Sequence, residues 1–297
     1  MSLENSILTE ARRLGFIAAG IAAAGPAENL DLFNRWLQDG NAADMAFMER
    51  SRQIRTDVKN VMPDVKSIIV VAARYATNKE PGKGFSTYAR GMDYHIVIRG
   101  KLSLLADFIK KQPGISTRVC VDSVPLFERE WAIRAGIGWR GRQGQIVNPK
   151  AGCCLSIGVL LLNIVLAPST PCANQCGNCR LCVDACPTRA ILDNGLIDCR
   201  RCLAYLTVEH KGDIQGELQI AMGQTLFGCD ICTAVCPWNK MENDGILAEF
   251  QERLMPDAKE ILAMSKEEFT SRFKDSTVFR TGLERLKRNA AIVLENT

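Results

Sequence analysis

The apolar positions of the chain switch between helical and strand-like spacing. Ile7, Leu8, Ala11 and Leu14 recur at the interval of an amphipathic helix. A small apolar segment follows, from Phe16 to Ala24. Leu30, Phe33, Trp36 and Leu37 form a second helical stripe, and Gly40 stands where a C-terminal cap belongs. Ser67 to Ala73 (SIIVVAA) is an unbroken apolar run and predicts a buried strand. Ile96 to Ile109 predicts a helix, Thr117 to Val121 a short strand, and Pro125 to Ala135 another helix. The most apolar run, Cys153 to Pro168, is too short to span a bilayer and is interrupted by Ser156 and Asn163, so it reads as a buried strand. This alternation predicts an α/β (α+β) domain over residues 1–170. Residues 171–240 hold most of the cysteines, and 241–297 are helical in pattern. No strand is followed by Gly-x-Gly-x-x-Gly, and no P-loop signature occurs, so neither a dinucleotide site nor a P-loop is expected.

Composition changes the picture at one point. A 47% hydrophobic content excludes a wholly disordered chain, and 37 Lys+Arg against 33 Asp+Glu excludes a polybasic tail protein. A modest net charge still leaves room for a basic, nucleic-acid-binding face. Thirteen cysteines is an odd number, and Met1 to Phe16 has no apolar signal-peptide core. A secreted disulfide framework is therefore unexpected. The pattern suits a reducing, cytoplasmic compartment and metal-bound thiolates, with no membrane partner.

Ten of the cysteines fall between Cys172 and Cys236. Cys176-x-x-Cys179-x-x-Cys182-x-x-x-Cys186-Pro187 is the bacterial ferredoxin run. Three closely spaced thiolates wrap one cubane. The fourth is expected to begin a helix that leads away to the other cluster, with Pro187 at the helix start. Cys202 and Cys229-x-x-Cys232-x-x-x-Cys236-Pro237 complete the pair. By the crossing rule one [4Fe–4S] cluster takes Cys176, Cys179, Cys182 and Cys236, and the other takes Cys186, Cys202, Cys229 and Cys232. Cys199 rivals Cys202, and Cys172 rivals Cys176. Structural zinc usually pairs two Cys-x-x-Cys hairpins, a different pattern. Cys120, Cys153 and Cys154 sit in apolar runs and read as buried thiols without a role.

Two clusters imply electron transfer, and a ferredoxin needs only part of this length, so the first 170 residues should hold the acceptor. The two histidines, His95 and His210, are too few for a histidine-rich metal centre and read as surface or packing residues. Asp93-Tyr94-His95 lacks the glycine of the Asp-x-His-x-x-Gly corrinoid loop, because Ile98 stands there. Asp122 ends a strand, where a ligand crevice of an α/β sheet is expected. The plainer alternative makes Asp122 or Ser123 an N-cap of the Pro125 helix. Gly136 to Gly144 (GIGWRGRQG) could let backbone approach a large polar cofactor, or be a surface turn.

Val121 to Val147, the eight cysteines, Cys199 to Gly212, Phe227 to Asn239, Tyr88 to His95 and Arg285 to Asn296 together resemble the epoxyqueuosine reductases. These are cobalamin- and double-[4Fe–4S]-dependent tRNA-modifying enzymes. The resemblance implies a cobalamin-binding N-terminal domain, a ferredoxin-like domain and a helical tail. It implies that Asp122 is the general acid and also a cofactor contact. It further implies that Arg142, Gln143 and Ile146 contact the corrinoid, with Lys211 and Asp230 near the corrinoid–cluster junction. The implied reaction reduces epoxyqueuosine to queuosine at the wobble position of a tRNA anticodon stem-loop, fed by an external low-potential electron donor. Many members read Gly-Lys-Asn-Thr where this chain has Gly141 to Gly144, and many carry a C-terminal helical-repeat domain beyond the present tail. Without it, tRNA would lean on the core and on six Lys/Arg between Arg272 and Arg288. An acid working at neutral pH needs a raised pKa, which burial of Asp122 beside a corrinoid would provide. Two rivals remain: a reductive-dehalogenase-like corrinoid enzyme acting on a small molecule, and a non-catalytic electron carrier or corrinoid activator.

Two four-iron clusters make a countable prediction. Anaerobic reconstitution is expected to give about eight irons and eight sulfides per chain; stoichiometric zinc without sulfide would exclude them.

Overall fold

The computed structural model describes residues 2–239 and 245–297. The start of the tail expected from residue 241 lies outside the described residues. Among those described, eight strands occur: β1 (Ala18–Ala23), β2 (Ser67–Arg74), β3 (Lys83–Phe85), β4 (Thr117–Cys120), β5 (Trp139–Arg140), β6 (Ile146–Val147), β7 (Leu155–Leu162) and β8 (Gln224–Phe227). The helices that matter most for the site are α1 (Leu3–Arg13), α2 (Tyr94–Ile109), α3 (Glu128–Arg134), α4 (Leu203–Val208) and α5 (Leu283–Glu295).

β1, β2, β7 and β4 form the main sheet in that order. Every neighbouring pair is antiparallel. The alternating pattern predicted helix and strand correctly but says nothing of direction. β2 and β4 do run parallel across the α2 crossover, yet β7 inserts between them and reverses each pairing. The parallel-sheet crevice invoked for Asp122 is therefore absent.

The sheet is a middle layer. Ile69, Val71, Leu160 and Leu162 face α1 and α2 through Ile7, Ala11, Ile98 and Leu102. Ile68, Val70, Val159 and Leu161 face Trp131 and Ala132 of α3 and the 58–65 segment. With apolar packing on both sides, β2 is buried at every position, which explains its unbroken apolar run. Gly158 lies where α2 crosses β7; a Cβ there would run into Ile98 and Leu102.

Two local expectations change. The helix expected from Pro125 begins only at Glu128, with Phe127 at its N-cap. Residues 122–127 are a turn, so neither Asp122 nor Ser123 caps that helix. The two Cys-Pro steps also fall after short helices, Leu181–Asp184 and Ile231–Ala234, and do not begin new ones. The three residues between the third and fourth cysteine complete a single helical turn, and proline then prevents its continuation.

The first third of the chain pairs directly with the cysteine-rich segment. β3 lies parallel to β8. Phe85 and Phe227 from this pair pack with Phe273, Leu286 and Ala290 of the C-terminal helices. Two tail arginines serve the same assembly. Arg285 donates to the carbonyls of Thr281 (2.7 Å), Val208 (2.9 Å) and Glu209 (3.1 Å). Arg288 donates to those of Leu206 (2.7 Å), His210 (2.9 Å) and Gly212. They satisfy the carbonyls that α4 leaves open at its C-terminal end. The expectation that Arg285 and Arg288 form an RNA-facing basic surface is thus corrected, because their donors are consumed inside the protein.

Asn289 is fully buried on α5 and donates to the carbonyls of Thr207 and Leu226, each at 2.9 Å. Removing it leaves two buried acceptors unpaired, at about 1–3 kcal/mol each. Asn289→Leu is expected to lower the melting temperature of the anaerobically reconstituted protein by several degrees. Lys274→Ala on the exposed surface should leave it unchanged.

Candidate active site and cluster loops

Asp122 follows β4 with φ +52°, a left-handed conformation that Asp adopts more readily than most residues. The Glu128 carboxylate accepts its amide N–H at 2.7 Å and holds that conformation. The turn aims Asp122 at the start of α2. Its Oδ2 lies 3.0 Å from His95 Nε2, and His95 Nδ1 lies 2.7 Å from Asp93 Oδ1. Asp93 also caps α2 by accepting the His95 amide N–H at 2.8 Å. The Tyr94 ring stacks on the His95 ring at 4.1 Å. A pocket of about 300 Å³ opens over this group, walled also by Tyr88, Phe227 and Arg280. That is the small end of the ligand-pocket range, suited to a nucleoside-sized group.

The electrostatics differ from the expected raised Asp122. The His95 hydrogen bond holds Asp122 below its ordinary pKa, outweighing burial. Burial opposes the His95 imidazolium, but hydrogen bonds to Asp122 and Asp93 win and push its pKa up to about 9. Burial, followed by the neighbouring Asp122 charge, pushes Glu128 up to about 8. At neutral pH, Asp122 is thus an anion between two proton-holding groups.

The cysteine side chains fall into two sets. The surroundings of the Cys182 thiol include Cys236, Cys176 and Cys179. Those of Cys232 include, in decreasing strength, Cys229, Cys202, Cys186 and, from the first set, Cys182. Cys172 turns its thiol to the Gly136 carbonyl at 3.3 Å. Cys199 lies beside Cys202, its amide bonded to the Asn41 carbonyl at 2.9 Å. Among the described residues no three Cys, His, Asp or Glu converge as ligands of a single ion. Soft thiolates are the donors that iron–sulfur clusters take. Cys120 and Cys154 are buried, as expected for inert thiols, but Cys153 packs with Cys176 and Cys236 of the first set.

The other candidate contacts are dispersed. Arg142 and Gln143 lie in the turn of the β5–β6 hairpin. Arg142 donates to the Gly177 carbonyl at 2.8 Å, beside the first cysteine set. The Arg142 Nε and Gln143 Nε2 atoms are buried without a hydrogen-bond partner. Ile146 is packed in the core behind the hairpin. Lys211 is exposed in the loop after α4. Asp230 is buried and accepts hydrogen bonds from Asn78 Nδ2 and the Thr87 amide, each at 2.9 Å, and from the Ser86 hydroxyl. None of Arg142, Gln143, Ile146, Lys211 and Asp230 walls the Asp122 pocket.

Two family models match the chain. Residues 55–123 match "Epoxyqueuosine reductase QueG, DUF1730", and residues 175–239 match a "4Fe-4S double cluster binding domain". The epoxyqueuosine reductase of Leadbetterella byssophila is 38% identical over 295 residues, covering 96% of each chain. The chain belongs to the epoxyqueuosine reductase family. A crystal structure of an epoxyqueuosine reductase with an epoxyqueuosine-modified tRNA-Tyr stem-loop is similar at a TM-score of 0.91 and 31% identity, over 99% of this chain and 81% of that one. The Bacillus subtilis epoxyqueuosine reductase, captured with its catalytic aspartate loop swung out of the active site, is similar at 0.90 and 31%, with the same coverage.

The epoxyqueuosine reductase match contains His95 and Asp122, and the double-cluster match contains all eight candidate ligands. His95 and Glu128 escaped sequence reasoning as site residues. The only local signal was the Asp93-Tyr94-His95 triplet; the decisive partner, Asp122, lies 27 positions on.

His95 and His210 are the only histidines, so their ring resonances can be separated by substitution. His95 is expected to titrate near 9 by NMR. In Asp122→Asn it should titrate lower, since an anionic partner is lost. Because its folded pKa exceeds the unfolded value of about 6.5, the stability this contact adds is complete below pH ~6.5 and fades as pH rises through the folded value.

Proposed function

We propose that this chain reduces epoxyqueuosine to queuosine in the anticodon stem-loop of tRNA, with Asp122 and His95 managing protons and two [4Fe–4S] clusters passing electrons. The observation that carries the reading is one juxtaposition. The Asp122–His95 pair and Phe227 share a pocket, and Phe227 lies two residues before the cluster-ligand candidate Cys229. Proton and electron sources therefore meet at one cavity.

Cys176, Cys179, Cys182 and Cys236 would hold one cluster, and Cys186, Cys202, Cys229 and Cys232 the other. Cobalamin, when bound, supplies the reducing centre that acts on the epoxide. The unpaired Arg142 Nε and Gln143 Nε2 suit a large polar cofactor that would complete them, as do the cluster loops beside them. Asp230 and Ile146 would shape that region from behind, while Lys211 would reach it only from the surface. An external low-potential donor feeds the clusters.

The stoichiometry of the reaction explains the acidic groups. Converting an epoxide to an alkene and water consumes two electrons and two protons. The site holds a proton on His95, in the short contact with Asp122 Oδ2, and another on Glu128, beside the Asp122 backbone. Asp122 stands at the pocket mouth, where a proton from His95 can pass to the departing oxygen. Arg280, anchored to Glu209 at 2.6 Å, adds positive charge beside the developing oxyanion.

The test is an anaerobic assay with cobalamin, a strong reductant and tRNA lacking only this last step. Asp122→Asn should keep cobalamin and both clusters and melt near wild type. Its epoxide reduction should fall by ~10²–10⁴, and full activity would return Asp122 to a structural role. Wild-type turnover should decline as pH rises through about 8 to about 9, where Glu128 and His95 lose their protons. A rate that is flat across this range would remove both groups from the proton path. Salt-dependent binding of tRNA separates this function from that of a plain electron carrier.

A further inference from the structure

The first cysteine set is surrounded differently from an ordinary cluster loop. Trp139 is 2% exposed, and its indole N–H points at Cys176 Sγ, 3.4 Å away. A buried indole N–H needs an acceptor, and among the described residues this sulfur is the one it has. The Trp238 ring meets Trp139 edge to face at 4.9 Å and fixes its plane. On the other side Cys153, 1% exposed, packs with Cys236 in one hydrophobic cluster, its thiol directed to the Thr233 carbonyl at 3.9 Å.

The Cys153 thiol has one proton and three acceptors nearby. The Thr233 carbonyl, 3.9 Å away, already accepts from Asn239 Nδ2 at 2.6 Å and from the Cys236 amide at 3.1 Å. The Cys154 sulfur already receives Asn239 Nδ2 at 3.4 Å. Of the three, Cys236 is the one that is anionic when it ligates iron, and charge-assisted bonds are the stronger ones. Asn239 also fixes the geometry by accepting the Cys153 amide at 2.7 Å. Gly152 is needed there, because a Cβ would strike Asn239.

We propose that Trp139 and Cys153 raise the reduction potential of the cluster held by Cys176, Cys179, Cys182 and Cys236, by donating hydrogen bonds to the sulfurs of Cys176 and Cys236. This rests on the ligand assignment given above. A donor to a ligand sulfur withdraws charge from the cluster and stabilises the reduced, more negative state. No bond is made or broken; one electron enters at a less negative potential. Trp139 lies on β5, whose turn to β6 carries Arg142 and Gln143, so one hairpin touches both the cluster and the proposed cofactor region.

The test is an EPR-monitored redox titration of anaerobically reconstituted holoenzyme. Trp139→Phe and Cys153→Ala should each move the midpoint of one cluster to more negative values and leave the other in place. The expected change is up to tenfold in the reduced-to-oxidised ratio at the wild-type midpoint, about 59 mV for a one-electron couple. Cys153→Ser keeps a donor and should stay near wild type even if Trp139→Phe folds poorly. Unchanged midpoints in both variants at full iron content would overturn the proposal, as would equal shifts of both clusters. Cys182→Ser assigns the signals, since it should alter only the cluster that the two variants move. If it alters neither, the ligand assignment falls, and the proposal with it, independently of the midpoints.

Discussion

The arrangement of this molecule depends on one buried carboxylate, Asp230. It sits between Cys229 and Ile231, at the edge of a cysteine loop, and it is 5% exposed. A charge withdrawn from water in this way is tolerated only when its lone pairs are filled. Asn78, Ser86 and Thr87 fill them, and all three come from the loop around β3. That loop is more than 140 positions away in sequence. Satisfying Asp230 therefore docks the N-terminal part onto the cluster loop. It also sets the β3–β8 pairing of Phe85 with Phe227 and brings the Tyr88 ring to 6.1 Å from Phe227. Two aromatic walls of the Asp122 pocket, Tyr88 and Phe227, follow from that docking.

A second constraint acts at Asp122 itself. Its left-handed backbone sits between a carboxyl that accepts its N–H and an imidazolium that pairs with its side chain. A conformation of this sort persists only where the surroundings over-determine it. Here they do so with groups whose own charges are coupled. Glu128 stays protonated partly because Asp122 is anionic, and His95 stays protonated because Asp93 and Asp122 flank it. Backbone strain and protonation are thus parts of one arrangement.

What could be read from sequence follows physical range. Buried β2 and β7 were legible because both faces of the sheet are covered and the chain records this as apolar runs. The double-cluster segment was legible because the Cys-x-x-Cys-x-x-Cys-x-x-x-Cys-Pro spacing within one loop is local. Strand direction was not, because β7 inserts between β2 and β4 from 35 or more positions away, and no pattern inside β2 or β4 announces it. His95 looked like an ordinary histidine because its decisive partner is held by a different element. The tail arginines looked like an RNA surface because a backbone carbonyl leaves no trace in composition; the acceptors of Arg288 lie 76 to 82 positions away.

The distribution of ionisable groups also separates a reductase from an electron carrier. Cluster loops need thiolates, backbone donors and shielding, and these are present around both cysteine sets. They do not need an aspartate with positive φ, a histidine between two carboxylates and an arginine at one cavity, with a glutamate bonded behind the turn. Burial of His95 and Glu128 carries a desolvation cost that folding alone does not require. They are gathered on the side of β8 that faces α2, while Trp139 and Cys153 close around the first cysteine set. The 300 Å³ pocket over Asp122 is where the proton-handling groups become accessible to a substrate. An electron carrier would have no use for that opening, whereas a reaction that must turn an epoxide oxygen into water requires it.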